Sequence, residues 1–265
     1  METRSITDYL QSLEDMIIAL QLGVLPEFIG HVYHKFAEST LITTSPTILS
    51  TNPNQDPFNT NGDTLYISSG GADTQQIYIE GVLHSDGTMA GEYIALTGQT
   101  AVQLANIYKT ILRAYNNNGV GLTEDAYIGS EAAPLLGVPA DDNIYAHIPA
   151  AYNGKPVNQT LLSTFTIPAG HTGFITNWYG TATKGKSVEL IAYARGPGGI
   201  FRYQERMFNF EGSSQKTLPY LKFPSGTDFK VEALTAVGTV DGSCSYDIVI
   251  LNNDWIAKSR PISWR

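Results

Sequence analysis

Phe165-Thr-Ile-Pro-Ala-Gly-His-Thr-Gly-Phe-Ile-Thr-Asn-Trp-Tyr179 decides how the second half of this 265-residue chain is read. One strand ends near Ile167, Pro-Ala-Gly-His-Thr-Gly reverses the chain, and a second strand starts at Gly173. Proline supplies a fixed φ for such a reversal, and glycine the positive φ that tight turns need. The pattern recurs outward from this stretch. Alternating apolar segments run near Leu161–Ile167, Gly173–Thr181, Ser187–Arg195, Ile200–Phe210, Leu218–Phe223, Asp228–Leu234 and Ser245–Leu251. Lys184-Gly-Lys, Gly196-Pro-Gly-Gly199, Ser225-Gly-Thr and Val240-Asp-Gly read as the turns between them. Short strands at this spacing predict a β-sandwich or jelly roll. Lys184, Lys186 and Arg195 are placed to guard strand edges against unwanted pairing.

Upstream, Gln76–Val82 and Gly91–Leu96 alternate in the same way. His84-Ser-Asp-Gly87 joins them as a hairpin, because Asp-Gly favours the φ > 0 geometry of tight β-turns. Tyr108–Tyr115 reads as a strand closed by Asn116-Asn-Asn-Gly119. Ser39–Ser69 reads as loop, and Glu124–Asn153, rich in Gly, Pro and Ala, as a linker between two β-units. The first forty residues differ. Ser5 and Asp8 have capping-box spacing, and Ile6, Leu10, Leu13, Ile17 and Leu20 line one face of a helix over about Thr7–Gln21. Gly23 and Pro26 end it. Leu25–Phe36 follows as an apolar, aromatic connector. The expected fold class is therefore mainly β. It has an N-terminal helical arm and connector (residues 1–40), a first β-domain with a loop-rich linker (41–150) and a second sandwich (151–265).

Composition narrows function. The net charge is −9, and 16 Lys and Arg are scattered along the chain. Affinity for phosphate backbones comes from clustered cations, so nucleic acid is not expected as a partner. A local basic group at Arg195, Arg202, Arg206, Lys216, Lys222 and Lys230 is the exception to weigh. The charged fraction of 15% is below the usual ~25%, which suits a β-protein with surface buried in an assembly. Cys244 sits in a strand pattern and has no intrachain partner. No apolar run reaches the ~18 residues of a membrane span, and no signal-peptide pattern opens the chain. Synthesis in a cytoplasm is expected.

No motif carries recognisable chemistry. His31-Val-Tyr-His34 lacks a third ligand and the Glu of a His-Glu-x-x-His motif. Asp141-Asp142-Asn143 falls far short of a calcium loop. Glu189, Glu205 and Glu232 lie on expected strands, where sequence cannot pair them across a cleft. Asn158-Gln-Thr160 is a glycosylation sequon, read here as incidental. No catalytic residue, cofactor or metal is expected. Aromatics crowd the second unit, and outward-facing ones, with Trp178 and Tyr203 as candidates, suit a protein interface or a sugar.

Four segments resemble tailed-bacteriophage virion structural proteins over about residues 75–253. They are Ile79–Val102 with its hairpin, the turn-and-glycine segment Leu112–Gly129, the Pro-Ala-Gly-x-Thr and Lys-Gly-Lys turns of 165–190, and Asp247-Ile-Val-Ile-Leu-Asn-Asn253. The resemblance implies a non-enzymatic virion part made in the host cytoplasm and incorporated into the particle. Its expected role is capsid decoration or cementing, with the major capsid protein and its own copies as partners. Two alternatives are a head–tail neck or tail accessory protein bound to connector proteins, and a glycan-binding host-adsorption module. The helix-face residues Ile6, Leu10, Leu13, Ile17 and Leu20 are the expected assembly contact.

Overall fold

The computed structural model describes residues 30–152 and 154–258. The expected helix over Thr7–Gln21, with Ile6, Leu10, Leu13, Ile17 and Leu20, lies outside the described residues. The fold is mainly β, and every pairing between strands is antiparallel. The strands are β1 (Gly30–Ile42), β2 (Thr47–Ile48), β3 (Tyr66–Ser69), β4 (Gln76–Leu83), β5 (Met89–Ala95), β6 (Val102–Gln103), β7 (Tyr108–Asn116) and β8 (Ala126–Gly129). They continue with β9 (Ile144–Ile148), β10 (Ala151–Tyr152), β11 (Lys155–Pro156), β12 (Phe165–Thr166), β13 (His171–Arg195), β14 (Arg202–Phe223), β15 (Asp228–Leu234) and β16 (Val240–Asn252). A short helix, α1 (Asn253–Lys258), follows.

The largest sheet is organised by β13, which changes partners along its 25 residues. Its first part pairs with β16 and with the second part of β14. Its second part, beyond a register break between Ala182 and Ser187, pairs with β15 and with the first part of β14. Phe229 on β15 lies opposite Ala194, and Tyr246 on β16 lies opposite Trp178. On a straight ribbon those positions would be roughly 50 Å apart at ~3.3 Å per residue. The Phe229 and Tyr246 rings instead meet edge-on at 5.2 Å. The ribbon therefore folds over on itself into two layers. One runs β1–β16–β13–β14, and the other runs β2 and β12 end to end, then β15–β13–β14. Trp178, Leu190, Phe229, Val231, Tyr246 and Ile248 fill the space between them.

This fold-over explains three departures from the local reading. Lys184-Gly-Lys lies inside β13 at the bend and does not separate two free strands. Val240-Asp-Gly opens β16. A Cβ on Gly242 would sit 2.8 Å from Ile42 Cδ1 and 3.0 Å from the Thr181 carbonyl, so this glycine serves close packing and not a turn. The segment 30–36, read as connector, is the first half of β1. Its inward positions are Tyr33, Lys35 and Ala37, while Phe36 faces out. A lysine inside and a phenylalanine outside erase the apolar alternation that marks a half-buried strand.

The remaining strands form β5–β4–β7 and β6–β3–β8–β9 around a second core of Leu65, Ile67, Ile79, Tyr108, Ile128 and Ile148. The β4–β5 hairpin has the expected turn, with Gly87 at φ 72°. β7 is the strand expected over Tyr108–Tyr115. The stretch read as a linker supplies β8, β9 and β10. This whole unit leaves the large sheet after β2 and returns at β12, and both of those strands pair with β15. Gly137 closes a tight turn at φ 77°, where a Cβ would lie 2.0 Å from the Ser69 carbonyl. Gly137→Ala is therefore expected to lower stability by more than about 1 kcal/mol in a denaturant titration. A neutral result would mean the turn relaxes freely.

Candidate binding surfaces

The residues singled out for chemistry are dispersed. His31 and His34 are both exposed but on opposite faces of β1: His31 shares the face of Tyr33, ring to ring at 4.6 Å, while His34 Nδ1 on the other face is 2.7 Å from Asp247 Oδ1. Asp141–Asn143 is a single 3₁₀ turn. Glu189 is paired with Arg206, and Glu232 with Lys230. No group of three metal-ligating side chains occurs among the described residues. No helix among them is long and apolar enough to cross a membrane. Cys244 is buried, and that burial pushes its thiol well up from the ordinary value.

One cavity of about 490 Å³ opens where β1 and β2 meet the β9–β10 segment, and it contains an Asp–His pair. His147 Nε2 is 2.9 Å from Asp125 Oδ2, its Nδ1 is 2.9 Å from the Thr51 carbonyl, and its ring stacks on Tyr127. Burial raises the Asp125 carboxyl, but hydrogen bonds from His147 and the Ala150 N–H outweigh it and hold that carboxyl below the usual range. Both ring nitrogens face acceptors. Neither is left to take a proton from a hydroxyl nucleophile, which general-base activation requires. The pair ties two segments together.

A second polar cluster joins β1 to the first unit. Lys35 is buried and donates from Nζ to the Leu112 carbonyl. Tyr33 donates to Glu80 Oε1 at 2.8 Å, and Glu80 also pairs with Arg113. Burial pushes the Lys35 ammonium down to about 7, Arg113 acts in the same direction, and Glu80 opposes them. Burial also pushes the Tyr33 hydroxyl far up. Sequence reading missed this cluster because its members lie on β1, β4 and β7 with no local spacing to link them.

Two surfaces remain open. Trp178 is not on either, since it is 2% exposed in the main core. Its strand alternation turned it inward at the face where β13 meets β16. Tyr203, by contrast, is 54% exposed on β14, and Phe208 farther along the same strand is 46% exposed. β14 pairs with β13 alone among the described strands, so a 22-residue edge is left without a neighbour. Arg206 spans part of this edge, bound to Glu189 and lying 4.0 Å over the Phe208 ring. The other surface is the tip of the first unit, where Leu135 and Leu136 are 81% and 66% exposed beside the Gly137 turn.

No protein-family model matches the chain, and no curated protein matches it in sequence. Among solved structures, T=1 particles derived from infectious bursal virus align over 85% of this chain and 70% of theirs. The identity is 13% and the TM-score 0.25. The Gx strain of infectious bursal disease virus aligns over 85% and 73%, at 12% identity and TM-score 0.25. A tryptic core variant of Bacillus thuringiensis Cry1Da aligns over 80% and 53%, at 9% identity and TM-score 0.18. Likeness at this level bears on neither mechanism nor partner.

Proposed function

We propose that this chain is a non-enzymatic virion structural protein that decorates or cements a capsid by binding the major capsid protein and further copies of itself. The observation that carries this reading is the strand order. Layers of β1–β16–β13–β14 and β2/β12–β15–β13–β14, wrapped from one ribbon, support reading the large sheet as a jelly roll, with the other unit inserted at its β2/β12 strand. Viral capsid proteins use this architecture, as do lectins and cupins, so the fold narrows the choice without making it. The phage-like Pro-Ala-Gly-His-Thr-Gly segment leading into β13 supports a building block. The β14 edge, the Leu135–Leu136 tip and the apolar N-terminal residues Ile6, Leu10, Leu13, Ile17 and Leu20 are its proposed contact elements. An unpaired edge can add a strand from a neighbour, and exposed Tyr and Leu side chains can anchor the contact.

Quantifying the protein in purified particles tests the role. Copies on the order of hundreds, following the capsid lattice, support decoration, whereas roughly a dozen or fewer would mark a neck or tail connector, since closed rings have few subunits. Removing residues 1–28 is expected to leave a folded protein that no longer joins particles, and normal incorporation would overturn the arm's role. Tyr203→Asp is expected to change folding stability by less than about 0.5 kcal/mol while weakening incorporation. The exposed Tyr203, edge-on to Tyr193 at 6.3 Å, also suits sugar stacking. Saturable glycan-array binding lost in Tyr203→Ala would favour the adsorption role instead.

A further inference from the structure

Arg202 and Lys222 stand at opposite ends of β14, twenty positions apart in sequence, yet both line one cavity of about 400 Å³. The fold-over of the β13–β14 ribbon brings them together: the hairpin turn Gly196–Gly199 at its tip returns to the Pro224–Thr227 turn at its base. Neither cation has an ion-pair partner among the described residues, and no acidic residue is among the described lining. Thr227, in the same wall, is only 3% exposed, and its Oγ1 has no hydrogen-bond partner. A buried hydroxyl without a partner carries a desolvation cost that a bound acceptor would relieve.

The charge around the cavity points the same way. The nearby carboxylate, Asp228, is already bound by two cations, Lys109 at 2.6 Å and Arg195 at 2.8 Å. That trio is net positive. With Arg202 and Lys222 added, this corner is strongly cationic in a protein whose net charge is −9. The guanidinium of Arg202 presents a planar donor fork, and the Lys222 ammonium a mobile point charge, which together suit a tetrahedral oxyanion. Glycines at 196 and 199 keep the rim free of side chains.

We propose that the cavity between the Gly196–Gly199 and Pro224–Thr227 turns is a binding site for a phosphate or sulfate group, with Arg202 and Lys222 as its charge clamp and Thr227 as its buried donor. This goes beyond the virion role and does not depend on it. The site would take such a group free in solution or carried on a glycan or other ligand.

The test uses the full chain with inorganic phosphate and inorganic sulfate as probes, against sodium chloride at matched ionic strength. Amide chemical shifts around Gly199 and Thr227 follow binding. Saturable shifts with phosphate or sulfate, and none with chloride, are expected for the wild type. Arg202→Gln combined with Lys222→Gln should weaken half-saturation at least about tenfold, as should Thr227→Val to a similar degree, since charge-assisted hydrogen bonds are lost. Both exchanged cations are solvent-exposed, so folding is retained, which the remaining amide spectrum checks. Identical half-saturation in the wild type and the double variant, or shifts that chloride reproduces, would overturn the site. Phosphorylated and sulfated monosaccharides then separate the sources: tighter binding than the inorganic ion supports a ligand-borne group, and equal binding supports the free ion.

Discussion

Asp228→Ala is expected to cost about 3–5 kcal/mol, the range for removing one member of a buried ionic cluster. Asp228 sits on β15 and is buried. Its Oδ1 accepts from Thr166 on β12 at 2.8 Å and faces Lys109 on β7 at 2.6 Å, while its Oδ2 accepts from Arg195 Nε on β13 at 2.8 Å. Thr166 is bonded in turn to Thr110 on β7. Arg195 is held between the rings of Phe58, at 5.1 Å, and Phe201, at 4.4 Å. One carboxylate thus fastens the inserted unit to the large sheet. Without it, two poorly solvated cations face each other with no counter-charge. Chemical denaturation measures the effect as a lowered midpoint at unchanged slope. Asp228→Asn should fall between the wild type and Asp228→Ala, because its amide oxygen still accepts from Thr166 but carries no charge. A loss below about 1 kcal/mol for the alanine variant would mean that water enters and solvates the cations. A double-mutant cycle with Lys109→Met isolates the share carried by that pair.

Stability is expected to rise by about 1–2 kcal/mol between pH 7 and pH 8.5, at up to ~1.4 kcal/mol per pH unit for one proton. The cause is Lys35. Burial lowers its ammonium from 10.5 to about 7 in the folded chain. Between those values the unfolded chain binds the proton and the folded chain does not, so raising the pH favours folding. Below pH 7 both states carry the proton, and the cost of burying it is fully present. Above about pH 8.5 the rise is opposed. The Cys244 thiol and the Tyr33 and Tyr246 hydroxyls are all pushed up by burial. They stay protonated in the folded chain where the unfolded chain has lost its protons, and so favour unfolding there. The profile should therefore climb, flatten and fall. Lys35→Met should remove the climb and stabilise the protein most at pH 6, because it deletes a buried charge while Glu80 keeps Arg113 and Tyr33. A climb that survives in Lys35→Met would mean that another group is responsible.

Much of the β-structure follows from short-range pattern. Asp228–Leu234 alternates cleanly, with Phe229, Val231 and Ala233 inward, and is β15 to the residue. His84-Ser-Asp-Gly87 required a turn and forms one. Where a position departed from the period-2 code for a long-range reason, the pattern misled. Lys35 faces inward because a carbonyl from β7 receives it. Gly242 lies in a strand because Ile42 and Thr181 crowd it. Trp178 was open to either face until β16 covered it. The candidate oxyanion site was legible only as a scatter of basic residues. Lys216 has no described side chain, Arg195 and Lys230 are bound to carboxylates, and Arg206 is bound to Glu189. Among the described side chains of that group, only Arg202 and Lys222 line one cavity.

The sequence by itself determined that this protein would be built of antiparallel strands broken by glycine and proline turns, because alternation and turn chemistry act over a few residues. It also determined a surface poor in charge and without a catalytic motif. Tertiary structure alone decided that one ribbon folds into two layers and that a whole unit is inserted between β2 and β12. It also decided that the two ends of β14 share a cavity. Pairing partners are chosen by which apolar faces can close on one another, and that choice depends on residues far apart in the chain.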